Sequence, residues 1–439
     1  MKRVWVLALV LVSSSIALAF CGFYVAKVDS KLFNESSEVI IAREGKRTIL
    51  SMSNDYKGDV SEFALVVPIP YVFTQEQIQV GDATIFDRIG AYSAPRLVEY
   101  FDDDPCYRYE NEGAVFEMAA PTATVDSAAS IRAKSLGVTI EEQFSVGEYD
   151  ILILGAEEST GLETWLIENG YKLPNGASEA LAPYIAMDMK FFVAKVNLEA
   201  FADTGFKNLR PILMAFESND FMLPIQLGMV NAAGPQDLIV YLLSPEGRVE
   251  VANYPTVTMP SDVYVPEFVE DEFGDMYRAT FDTAYKRENR KSVFLEYAWD
   301  MAWCDPCAAD PLSGEEMAKA GVFWLDESSD FAAPNVYLTR LHVRYSKDYF
   351  PEDLMFRVTG NRDNFQGRYI IQRPYSGTIT CQEGQSYIEQ VQERQKQEAQ
   401  ALANLTGWSY GSIMEKVSLY NPSVEVPSWW KRVFERFGN

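Results

Sequence analysis

The chain has 439 residues, 48% of them hydrophobic and 13% aromatic, enough apolar mass for two or three packed domains. Its formal net charge of −25 repels phosphate backbones and anionic lipid surfaces, which argues against nucleic acid as a partner. One histidine, His342, excludes multi-histidine zinc sites and leaves a single candidate base for a Ser-His-Asp or Cys-His arrangement.

Lys2 and Arg3 precede the apolar run Val4–Val12, a Ser13-Ser14-Ser15 break and Ala17-Leu18-Ala19. That is the charged, apolar, cleavable order of a secretory signal peptide, so residues 1–19 read as a leader cut after Ala19. The mature chain is then expected in the periplasm, at the cell surface or secreted, where cysteines oxidise. Phe20 is too large to precede a lipid-modified Cys21. The apolar run also falls short of the roughly 20 residues a spanning helix needs, so no transmembrane anchor is expected after cleavage.

Residues 20–150 read as a β-rich domain. Val39–Arg43 and Arg47–Ser53 flank Glu44-Gly45-Lys46 as a hairpin, and Phe63–Val67 is an apolar strand stopped by Pro68 and Pro70. Residues 151–381 read as a mixed α+β domain. Strands are expected at Ile151–Leu154, Phe191–Val196, Ile212–Phe216 and Leu238–Leu243, with helices begun by Ser159 or Thr160 and by Ser178. Ser244-Pro245-Glu246-Gly247 has the residue order of a type I turn and predicts a hairpin into Arg248–Val251. Ser313 and Glu316 form a capping-box pair closed by Gly321. A second hairpin is expected between Leu354–Val358 and Arg368–Arg373.

In Asn335–Ser346, alternation sets Tyr337, Thr339, Leu341, Val343 and Tyr345 against Arg340, His342 and Arg344, which reads as a solvated face. Residues 382–439 form a helical tail. Its long helix, Glu383–Leu405, is polar with sparse apolar positions, and Trp429–Phe437 is rich in aromatics. The fold class expected is α+β, predominantly antiparallel β-sheet domains with a few short helices and one longer polar C-terminal helix.

The sharpest chemical motif is Trp303-Cys304-Asp305-Pro306-Cys307, which carries the chain's one CxxC. Two such thiols can close a disulfide, hold a metal or exchange electrons. Pro311, Ser313 and Gly314 follow too soon for the uninterrupted helix of a thioredoxin site, and Asp305 and Asp310 oppose a thiolate. A structural disulfide is therefore preferred, with thiol–disulfide exchange through Cys304 and Cys307 as the alternative. Cys21, Cys106 and Cys381 are the other disulfide candidates; five cysteines leave one over, and connectivity stays open.

The acidic runs Asp102–Asp104 and Glu267, Glu270, Asp271, Glu272 with Asp275 lack EF-hand spacing and read as solvated charge rather than calcium sites. No phosphate loop, nucleophile elbow or His-Glu-x-x-His motif is present. No cofactor and no metal is expected, and the partner is an unidentified protein or glycan of the envelope.

Five stretches carry a family resemblance: Cys21–Val25, Phe63–Pro70, Ala94–Tyr100 with Asp104-Pro105-Cys106, Leu223–Gly228 and Tyr297–Cys307. In these the chain resembles the bacterial exported proteins grouped as domain of unknown function 2330. The resemblance implies export and characteristic cysteines; it supplies no reaction or ligand. The whole reading is of an exported, disulfide-stapled protein that binds or builds rather than catalyses.

Overall fold

The computed structural model describes residues 23–26, 33–34, 37–53, 56–57, 63–106, 138–169, 176–205, 209–230, 234–305, 310–325 and 334–424. The fold is α+β and β-rich.

Its centre is a long mixed sheet. Thr256–Thr258, Val293–Asp300, Tyr337–Tyr345, Gln236–Ser244, Ser37–Glu44, Arg47–Ser53, Ile212–Glu217 and Ile78–Val80 lie side by side in that order. Ser37–Glu44 and Arg47–Ser53 form the expected antiparallel hairpin, and the tight Glu44-Gly45-Lys46 connection places Gly45 at a φ of 57°. Side-chain alternation sends Val39 and Ile41 to one face and Ile40 and Ala42 to the other, and both faces are buried.

The first face packs against a second, wholly antiparallel sheet ordered Phe23–Ala26, Phe63–Ile69, Lys190–Val196, Tyr149–Ala156 and Val138–Val146. Ile151, Ile153, Phe192 and Ala194 meet Val39, Met52, Val240 and Leu341 in one apolar cluster. Helices Ser159–Glu168 and Ala177–Ala186 close the far side of the smaller sheet with Leu162, Leu166, Leu181 and Tyr184. Pro68 does not stop its strand. Phe23–Ala26 pairs only as far as Val66, so Pro68 has an edge position on that side, where a missing N–H is tolerated.

The second face of the long sheet is covered by helices Thr84–Ser93 and Gly314–Lys319, through Ile85, Ile89, Tyr92 and Met317. Ser313 and Glu316 close the expected capping box. Helix Val269–Arg287 covers the neighbouring stretch, with Phe281, Ala284 and Tyr285 on Phe294.

Two expected hairpins are overturned. Val249–Val251 pairs with Leu354–Val358 rather than folding back on Gln236–Ser244. Arg368–Arg373 leaves Leu354–Val358 altogether and lies between Val263–Tyr264 and Arg96–Phe101, parallel to both. Arg368–Arg373 gains a six-pair ladder with Arg96–Phe101 there.

Helix Gly384–Thr406 docks on this small parallel sheet. Ile388, Val391, Ala399, Leu402 and Leu405 are buried, the last three clustered with Val265, Val269, Met276, Tyr369 and Ile371, so the helix buries one full stripe despite its polar composition. Gly407 ends it at a φ of 75°, its N–H donating to the Ala403 carbonyl at 2.9 Å. A disulfide joins Cys106 to Cys381 across 275 residues, with their Cα atoms 5.5 Å apart. It ties the loop after Arg96–Phe101 to the start of that helix.

Candidate functional site

Two polar clusters stand out, one sealed and one open. The sealed cluster lies beneath helix Val269–Arg287. The pairing of Val293–Asp300 with Tyr337–Tyr345 shifts register between Leu295 and Tyr297, which makes Glu296 the extra residue of a bulge. The bulge places Glu296 and Tyr297 together on the helix-covered face. Glu296 is fully buried. Its Oε2 accepts from Arg340 Nε at 2.7 Å, and its Oε1 lies 2.8 Å from His342 Nδ1 and accepts from the Tyr277 hydroxyl.

His342 is stacked on Phe281 with centroids 3.8 Å apart. Its Nε2 lies 3.3 Å from Asp237 Oδ1, off the line of a hydrogen bond, while Asp237 takes a two-pronged contact at 2.7 Å from Arg344. Burial alone would raise the Glu296 carboxyl, but Arg340 and His342 prevail and hold it down to about 2. Burial would lower the His342 imidazole, and Glu296 and Asp237 outweigh it, so its pKa is raised. The expectation of a solvated His342 face is therefore corrected. Arg340, His342 and Arg344 do share a face, but a helix bearing Tyr277, Phe281 and Asp282 covers it. The cluster ties the helix to the sheet beneath it.

The open cluster is a cleft of about 270 Å³ where Pro266–Glu270, the end of Arg368–Arg373, helix Gly384–Thr406 and the segment after Lys416 meet. Pro266, Phe268 and Val417 give it an apolar wall, and Glu267, Glu270, Arg373, Glu398 and Lys416 its charges. Most of these charges are already engaged. Arg373 holds both oxygens of Glu99 at 3.0 Å and also contacts Glu270, and Lys416 reaches both oxygens of Glu272 at 2.6 Å.

Glu398 is the exception. It is only 5% exposed, lines the cleft, and its Oε1 has no hydrogen bond. Arg394 Nε is 3.4 Å away but misaligned, because that guanidinium is turned to both oxygens of Asp102. Burial, together with Glu267 and Asp102, pushes the Glu398 carboxyl up to about 7 against the pull of Arg394.

Asp102, expected to be solvated, is a hub: besides Arg394 it accepts from Gln372 Nε2 and the Tyr387 hydroxyl, each at 2.7 Å. In the second acidic run Glu270, Glu272 and Asp275 are taken up by Arg373, Lys416 and Arg278. Among the described residues no group of three or more His, Cys, Asp or Glu is arranged to hold a metal ion.

Sequence reasoning gave Glu398 only a helical pairing with Arg394 and no place among the site candidates, although a signal was present. Ile388, Val391, Gln395, Glu398, Leu402 and Leu405 follow helical spacing, so Glu398 is a carboxylate within an apolar stripe.

Of the candidate cysteines, Cys106 and Cys381 are joined. Cys304 is an exposed free thiol that follows a turn after strand Val293–Asp300. Its neighbour Asp305 is buried and accepts from the Tyr297 hydroxyl at 3.0 Å. Cys21 and Cys307, the expected leader at residues 1–19 and Trp429–Phe437 lie outside the described residues. Among the described residues no helix is long and apolar enough to cross a membrane.

Residues 15–357 match the model of one family, described as an uncharacterized protein conserved in bacteria, domain of unknown function 2330; the chain belongs to that family. No curated protein and no solved structure matches the chain.

Proposed function

We propose, with membership of this bacterial family as the premise, that the chain is an exported envelope or secreted protein that works by binding, without catalysis, through the Glu398 cleft. The observation that carries this reading is the Glu398 Oε1 atom, buried at the cleft wall with its hydrogen bond unmade. A buried acceptor without a donor costs about 1–3 kcal/mol, and a ligand bearing a donor would relieve it. The leader at residues 1–19 supports export, and the Cys106–Cys381 bond is compatible with an oxidising compartment.

Thermal unfolding of the intact protein with small amines, carboxylic acids and sugars tests the reading. Ser418 is exposed at the cleft rim, so Ser418→Trp fills the opening without entering the core. At least one class should raise the melting temperature of the native protein and not of this variant. No such difference for any class defeats the reading.

A second reading is thiol–disulfide exchange, with Cys304 attacking and Cys307 resolving. It is favoured by the exposure of Cys304.

A further inference from the structure

We propose that the Glu398 cleft takes an organic ammonium group on a short aliphatic arm, its N–H donating to Glu398 Oε1 while the arm lies along Phe268 and Val417. The inference rests on the binding reading and names the ligand class.

Charge bookkeeping inside the cleft selects the sign. An anion would need Arg373 or Lys416, and each is already held by carboxylates, so it would have to displace Glu99 and Glu270 or Glu272. A cation breaks none of these ion pairs, though it shares the Phe268 face with the Lys416 ammonium, 5.2 Å from the ring centroid. Glu398 Oε1 accepts no hydrogen bond, and Glu267, which meets Arg373 at 3.6 Å, adds a second carboxylate on the same wall. The charge of −25 on the whole chain draws cations toward it.

Size and lining narrow the class further. About 270 Å³ falls just under the range of roughly 300–1,000 Å³ usual for drug-sized ligands, so the ligand is short. Pro266, Phe268 and Val417 suit methylene groups better than hydroxyls. Because the Glu398 carboxyl stands at about 7, it is partly protonated at neutral pH, and an ammonium must expel that proton to bind. Amine affinity therefore rises with pH below about 7 and levels off above it.

The test is calorimetric titration of the intact, oxidised protein with propylamine and 1,4-diaminobutane, beside glutarate and glucose as acidic and neutral probes. The amines should bind, with affinity rising up to about tenfold per pH unit below the Glu398 pKa. Glu398→Gln keeps the side-chain shape and should lower amine affinity at least about tenfold while leaving the melting temperature within a few degrees. Ser418→Trp should abolish binding by occlusion.

Binding of glutarate or glucose in place of the amines, blocked by Ser418→Trp, overturns the ammonium inference and leaves the binding reading standing. Amine binding that survives both substitutions is loose association with an acidic surface and overturns the inference. No binding by any of the four probes overturns it too, and with it the cleft as a small-ligand site.

Discussion

His342 Nδ1 lies 2.8 Å from Oε1 of Glu296, inside a layer closed by helix Val269–Arg287 on one side and the long sheet on the other. Glu296 comes from a bulge, His342 from the adjacent strand and Tyr277 from the helix, so one carboxylate fastens three pieces of chain.

Removing that carboxylate strands a buried guanidinium. Glu296→Ala is expected to cost about 3–5 kcal/mol, because Arg340 loses its carboxylate partner inside the layer. Glu296→Gln should cost less, as the amide oxygen still accepts one bond. Urea midpoints of the two variants against the native protein decide this, and equal midpoints for all three would show that the layer carries no stability.

The same pair predicts a pH dependence. The folded pKa of His342 is raised above its ordinary value near 6.5, so its contribution is fully present below about 6.5 and lost as pH rises through the folded value. Glu296 is lowered, so its contribution is present above about 4.5 and lost as pH falls toward about 2. These are two ends of one interaction and do not add. A His342→Gln variant should therefore show a flatter fall in urea midpoint above pH 6.5 than the native protein does. An unchanged slope would place the titration elsewhere.

Reduction should loosen the C-terminal helix before the rest. A bond closing a 275-residue separation is expected to contribute about 2–5 kcal/mol, mainly by restricting the unfolded chain. Cys106→Ser or reductant should lower the unfolding midpoint and speed amide exchange within Gly384–Thr406 first. Exchange rates there that ignore reductant would show that Arg394 and its Asp102 contacts suffice to hold the helix.

Insulin reduction separates the two functional readings. The native protein and Cys304→Ser should both show background rates only, while a native rate well above that of the variant would restore the exchange mechanism.

What could be read from the sequence was local. The hairpin Ser37–Glu44 with Arg47–Ser53 and the box Ser313–Glu316 depend on residues within one turn of each other, and both form as expected. Val249–Val251 and Arg368–Arg373 failed because their ladders lie over a hundred residues away in sequence, where turn chemistry has no say. Alternation placed His342 beside Arg340 and Arg344, yet a polar face reads as wet unless the covering helix is known. Glu398 was hidden in the same way: the stripe that buries it becomes meaningful only once Tyr369 and Ile371 lie opposite.

The match to the family ends at residue 357, whereas Arg368–Arg373 is the middle strand of its sheet. A polypeptide trimmed to the shared region would strip Arg96–Phe101 of its ladder, orphan the Cys106 sulfur and lay Val265, Val269 and Met276 open to solvent. Common ancestry and self-sufficient folding thus have different borders here, and recombinant work should respect the longer one.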